Sequence, residues 1–159
     1  MNSSPIRIIG GRGYLGGVIT NHLERGDKTF SVENHSVVQE NYSDEIFKSV
    51  FNDSDVIFLT SINDLEITEK KRSVCIDYNI LKLLEFLDRV IRLDLYLNSF
   101  VFSSTASFYD FSSRDAVEST AVVPRSFYEW SKLSCESLCR TMWESNQDNF
   151  GRIIIFRLS

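Results

Sequence analysis

Residues 6–16 read IRIIGGRGYLG, and the fold follows from how that stretch is parsed. The β-branched run Ile6–Ile9 has the composition of a strand buried on both faces. Glycines stand at 10, 11, 13 and 16, and from about Tyr14 to Arg25 the apolar spacing turns helical, closed by Gly26 as a C-cap. Glycine permits the tight turn between strand and helix. It also lets backbone N–H groups approach an anion at the positive end of the helix, as a pyrophosphate-binding turn requires. The spacing, Gly10-x-x-Gly13-x-x-Gly16, is GxxGxxG where GxGxxG is the commoner form.

Working outward, the same alternation recurs. Thr29–Val32 is expected to form a second strand, Asp44–Phe51 has helical spacing, and DVIFLT (Asp55–Thr60) is another buried-strand run. Ser73–Leu93 is the longest helical pattern, with Ile76, Ile80, Leu83, Leu84, Leu87, Val90 and Ile91 on one stripe. Phe100–Ser103 reads as a strand, residues from about Tyr128 to Ser145 as a helix, and Arg152–Phe156, within GRIIIFRLS, as a closing strand. Such alternation predicts an α/β fold, a doubly wound parallel sheet in a three-layer α/β/α arrangement. No repeat, linker or low-complexity segment divides residues 1–159, so a single domain is expected.

Composition narrows the function. The chain has 159 residues, 43% of them hydrophobic, enough for one sizeable core. Against 17 Lys+Arg stand 22 Asp+Glu, a net charge of -5. These charges are spread without a basic stripe, which argues against nucleic acid as a partner. No apolar run approaches the roughly 18 residues of a membrane span, and MNSSPIRIIGG lacks the h-region of a signal peptide, so a cytoplasmic location is expected. Cys75, Cys135 and Cys139 are odd in number and lack metal-site spacing, so they read as buried free thiols, with no metal.

Gly10, Gly13, Tyr14, Leu15 and Gly16 are the candidate cofactor-binding residues. A ribose-binding acid belongs roughly 20 residues on, at the end of the second strand, and Glu33 stands there. Its carboxylate would accept hydrogen bonds from ribose hydroxyls and repel a 2′-phosphate, favouring NAD. Arg12, inside the loop, could reach such a phosphate, which keeps NADP as the alternative.

Tyr128-Glu129-Trp130-Ser131-Lys132 places a tyrosine and a lysine four apart, on one helix face. Upstream, FSSTASFY (residues 102–109) runs a strand into a hydroxyl-rich turn, where a parallel sheet presents its site. With the glycine loop, these pieces resemble the extended short-chain dehydrogenase/reductase family of NAD-dependent nucleotide-sugar epimerases, dehydratases and reductases, over nearly the whole chain. The resemblance implies a Rossmann-like domain in which Thr105, Tyr128 and Lys132 are catalytic. Tyr128 and Lys132 would also touch the cofactor, and Asn79 and Thr105 would lie on the substrate side. A tyrosine with a pKa of roughly 10 is a poor base at neutral pH, so a nearby ammonium must favour its phenolate.

Glu118 and Pro124 fit the family's approach to the catalytic helix. Asp110 stands where the family has glycine, and DVIFLTS replaces a DVVIHLAA-like strand. No clear adenine-binding aspartate is present, and Asp44 reads as the N-cap of its helix. Arg157 matches the arginine of the family's R-x-x-N, whose asparagine would fall one residue past Ser159. By resemblance, then, the chain is expected to be the front portion of a longer enzyme, without the C-terminal substrate domain. The alternative is a non-catalytic dinucleotide-binding module or partner-dependent subunit. The resemblance also implies a homodimer through the helices at 73–93 and 128–145.

Overall fold

The computed structural model describes residues 4–25, 32–35, 42–109 and 116–159, the strand at 32–35 by its backbone. Five parallel strands form one sheet in the order β2-β1-β3-β4-β5: β1 Ile6–Ile9, β2 Val32–His35, β3 Ser54–Phe58, β4 Leu97–Thr105 and β5 Ile153–Leu158. The chain leaves β1 outward to β2 and returns to β3 on the other flank. The carboxyl ends of β1 and β3 therefore flank a topological switch point, where open α/β sheets bind ligands.

Helices α1 Tyr14–Arg25 and α2 Asp44–Phe51 begin and end where the apolar periodicity places them. The cap of α2 is Ser43, whose hydroxyl accepts from Ile46 N at 3.3 Å. Asp44 is instead the first helical residue and pairs with Arg89 (2.9 Å) and Arg92 (3.0 Å), which corrects its reading as N-cap. The second strand is described over Val32–His35, which meets the expected Thr29–Val32 at Val32; residues 29–31, like the Gly26 cap and Asp110, fall outside the described residues. A short helix that the sequence did not announce, α3 Leu65–Lys70, is capped by Asp64, whose carboxylate accepts from Ile67 N at 3.0 Å.

The long helical pattern resolves into three joined pieces: α4 Arg72–Cys75, a π-helical turn Ile76–Leu81, and α5 Lys82–Arg92. Its fully buried residues, Cys75, Asn79, Leu83, Phe86, Leu87 and Val90, differ from the expected stripe at its N-terminal end. A π-turn bonds i→i+5 and inserts a residue, which shifts the phase of everything before it. The last long helix, α6 Phe127–Ser145, packs on β4 and β5.

Between α2, α5 and the sheet lies an aromatic cluster centred on Phe86. Its ring centroid is 5.5 Å from Phe47, 5.1 Å from Phe51, 5.9 Å from Phe58 and 5.9 Å from Phe100. Such pairs add about 0.5–1.5 kcal/mol each beyond their burial, and the cluster is continuous with Cys135 and Cys139 of α6. At the far edge β5 is covered on one side only, and Phe156 is 54% exposed. All three cysteines are buried free thiols. Among the described residues no helix is long and apolar enough to cross a membrane.

Candidate active site

The turn after β1 is built by close approach. Gly10 has φ +87°, and a Cβ there would sit 3.0 Å from the backbone nitrogen of Thr60 and 3.1 Å from its hydroxyl. At Gly16 a Cβ would lie 2.4 Å from the Cα of Gly11, so the first turn of α1 packs directly on the loop. Gly13 N donates to Gly10 O at 3.1 Å. Tyr14 stands out at 91% exposure, and Arg12 is exposed beside it. The hydroxyl of Thr60, facing this loop, is buried without a hydrogen-bond partner. A tight glycine cradle with an orphaned donor beside it suits the phosphate-bearing dinucleotide that the resemblance implies. Glu33 lies in β2 with its backbone paired to Arg7, and its side chain is outside the described residues.

A cleft of about 470 Å³ opens between this loop and the carboxyl ends of β3, β4 and β5. Gly10, Gly13, Tyr14, Leu15 and Gly16 form one wall, with Ser61, Thr105, Tyr128 and Lys132 across from them. The residues expected from two distant motifs therefore share one space.

Local capping sets the position of Tyr128. Ser126 caps α6 by accepting from Glu129 N at 3.1 Å, while Glu129 accepts from Arg125 N at 2.5 Å. This is close to the capping box that the SFYE sequence spells. Glu69, at the end of α3, accepts from Phe127 N at 2.5 Å and ties the start of α6 to the neighbouring helix. Tyr128 thus sits in a first turn held from both sides.

Burial pushes the pKa of the Tyr128 phenol up, and the hydroxyls of Ser61 and Thr105 pull the other way as donors. Lys132, 3% exposed, donates to the carbonyl of Ser103 at 2.9 Å and stands 4.9 Å from the Phe102 ring centroid and 6.0 Å from that of Tyr128. Burial pushes its pKa down from 10.5 to about 8, still largely protonated at neutral pH. Thr105 ends β4 in a hydroxyl turn: its Oγ1 accepts from Ser107 N at 3.2 Å and lies 2.9 Å from Ser107 Oγ.

Asn79, expected on the substrate side, is not among the residues that line the cleft. It is buried within the π-turn, and its side chain clamps Ile62, accepting from Ile62 N at 2.7 Å and donating to Ile62 O at 3.1 Å. The same amide donates to Ser131 Oγ at 3.1 Å, and Ser131 donates to Tyr128 O at 2.7 Å. The freed Asn79 carbonyl accepts from the Cys135 thiol at 3.0 Å. Asn79 therefore fixes the segment after β3 to the helix bearing Tyr128.

Two contributors went unnoticed in the sequence. Ser61 follows a strand where small apolar residues are usual, and only its hydroxyl signals a role. Glu136 reads as a solvated charge four residues after Lys132. It is buried, accepts from Ser104 Oγ at 2.7 Å, and receives both arms of Arg157. Arg157 in turn donates to the hydroxyl of Tyr109, at the end of the Thr105 turn.

A family model described as "NAD dependent epimerase/dehydratase family" matches residues 6–159. A search of curated proteins finds no significant match. Among solved structures, RMD from Pseudomonas aeruginosa complexed with NADPH superposes with a TM-score of 0.81 at 17% identity, over 99% of this chain and 55% of that one. The UDP-Glc/GlcNAc 4-epimerase of Campylobacter jejuni gives 0.77 at 18%, over 98% and 53%. The UDP-glucuronic acid 4-epimerase of Bacillus cereus, in a complex with a UDP-sugar and NAD, gives 0.75 at 20%, over 96% and 55%. The chain spans about half the length of the solved structures it matches.

Proposed function

The chain belongs to the NAD dependent epimerase/dehydratase family, and on that premise we propose that it carries the dinucleotide-binding and proton-transferring part of an enzyme acting on a nucleotide sugar. The observation that supports this reading most is the convergence of the glycine loop with Thr105, Tyr128 and Lys132 on one cleft. Gly10, Gly13 and Gly16 would hold the pyrophosphate of NAD, and Glu33 the adenosine ribose in preference to a 2′-phosphate. When bound, a nicotinamide dinucleotide supplies hydride acceptance and return.

The chain's own residues then handle the proton. Tyr128, as phenolate, would take the proton of a sugar hydroxyl as that carbon gives up hydride, and return it when the carbonyl is reduced. Thr105 would donate to the same sugar oxygen. Lys132, positive at neutral pH and buried beside the tyrosine, would favour the phenolate and hold the nicotinamide ribose. Hydride and proton movement of this kind serves epimerases, dehydratases and reductases alike, so the reading stops at the nucleotide-sugar class.

Substituting Tyr128→Phe tests it. Cofactor affinity should stay within about twofold while turnover of the nucleotide sugar falls about 10²–10⁴-fold. An unchanged rate would remove Tyr128 as the base.

We also propose a homodimer. Tyr78 and Leu81 on the π-turn and Trp130 on α6 leave large apolar surface outward on the two long helices, a pattern that suits a two-fold helical contact. Sedimentation showing only monomer at high protein concentration would count against it.

A further inference from the structure

The segment that follows β3 is held more tightly than its loop conformation requires. Thr60 abuts the glycine turn at the place a Gly10 Cβ would occupy. Two residues on, Asn79 grips both backbone groups of Ile62 at 2.7 and 3.1 Å and links them through Ser131 to the helix of Tyr128. Ser61 lies between these two anchors, in the wall of the cleft shared by Thr105, Tyr128 and Lys132. Such double anchoring of one hydroxyl beside an acid–base group is a positioning arrangement.

We propose that Ser61 is a positioning residue for Tyr128, a second hydroxyl donor to its phenolic oxygen opposite Thr105. The proposal rests on the reading of Tyr128 as the base. In the proton transfer the sugar O–H bond breaks and the Tyr128 O–H bond forms. Ser61 keeps its own proton and donates a hydrogen bond that is strongest to the phenolate. Thr105 is thereby released to serve the sugar oxygen while Ser61 holds the base.

The charge environment is consistent with that division. Burial raises the Tyr128 pKa, Cys75 from α4 and Glu129 from α6 raise it further, and the hydroxyls of Ser61 and Thr105 oppose them. The Lys132 amine is turned to the Ser103 carbonyl, 6.0 Å from the Tyr128 ring centroid. A phenolate here gains from every nearby donor.

The test titrates Tyr128 directly in the 159-residue chain with NAD+ present, by NMR of 13Cζ-labelled tyrosine, with the signal assigned by its loss in Tyr128→Phe. Ser61→Ala should raise the Tyr128 pKa by about one, and Ser61→Thr, which keeps the hydroxyl, should restore it. An unshifted pKa in Ser61→Ala overturns the proposal, as does a shift that Ser61→Thr fails to reverse. Loss of folding in Ser61→Ala is guarded against by Ser61→Cys, a weaker donor of similar size, expected to give an intermediate pKa. The titration needs no turnover, so an unchanged rate in Tyr128→Phe would overturn the reading of the base separately.

Discussion

Arg157 forks onto Glu136, its Nε 2.9 Å from Oε1 and its Nη2 2.7 Å from Oε2. The pair joins β5 to α6, and through Ser104 and Tyr109 it also holds both ends of the turn that carries Thr105. Removing Glu136 alone, as Glu136→Ala, strands a partly buried guanidinium. It should cost about 3–5 kcal/mol in urea unfolding, whereas replacing both partners by Met and Leu should cost far less. A loss in the double variant equal to the sum of the losses in the two single variants would show that the pair is uncoupled.

The same carboxylate gives an acid limb. Burial alone would raise the Glu136 pKa, but the bonds from Arg157 and Ser104 outweigh it and hold it below the usual 4.5. Its contribution is therefore complete above 4.5 and lost as pH falls through the lower, folded value. Thermal stability of the wild type should decline with acid below about pH 4.5, and less steeply in the Met/Leu double variant.

On the alkaline side two effects oppose each other. Lys132 titrates near 8 in the fold and 10.5 when exposed, so over that window the unfolded chain binds more protons and stability rises with pH. Burial pushes the Cys135 thiol from 9.0 to about 12 and Cys139 higher still, so above 9.0 the fold retains protons that the unfolded chain releases, and stability falls. Two thiols outweigh one ammonium. Calorimetry should show Tm rising from about pH 8 towards 9 and dropping beyond, with the rise absent in Lys132→Met.

Gly16 tests the cradle. Gly16→Ala would bring a Cβ within 2.4 Å of the Gly11 Cα and 2.7 Å of the Gly10 carbonyl. The turn must open, costing about 1–3 kcal/mol of stability and weakening NAD affinity about tenfold or more in a calorimetric titration. Gly17→Ala, where nothing lies within 4 Å, should leave NAD affinity unchanged and raise stability by up to about 1 kcal/mol through its better helix propensity.

Asn79→Asp keeps the acceptor for Ile62 N but removes the donors to Ile62 O and Ser131. With those acceptors orphaned in a buried site, the variant should lose about 1–3 kcal/mol in urea unfolding. An unaffected midpoint would mean that water replaces the amide.

Where local chemistry decided conformation, the sequence could be read directly. Ile6–Ile9, the glycines and Tyr14–Arg25 follow from β-branching, backbone freedom and 3.6-residue spacing, and each element begins and ends as expected. The Tyr128 and Lys132 face needed only a helix. Other features depend on partners far along the chain. The π-turn is tied to Asn79, whose partners lie 17 and 52 residues away, so no local period could announce it. Glu136 looked like a surface charge because Arg157 lies 21 residues on. Helix α3, six residues long, is too short for a periodic signal, and only Asp64 marked it.

The π-turn also sets a rule about length. One residue fewer within 76–81 would restore ordinary helix there and rotate α3 and α4 by about 100° around the axis of α5. Asn79 or its replacement would then turn away from Ile62, and Glu69 from the start of α6. Single-residue deletions across this turn should be far more damaging than substitutions at its exposed positions. The register of the cleft is thus kept by a count of residues as well as by their identities.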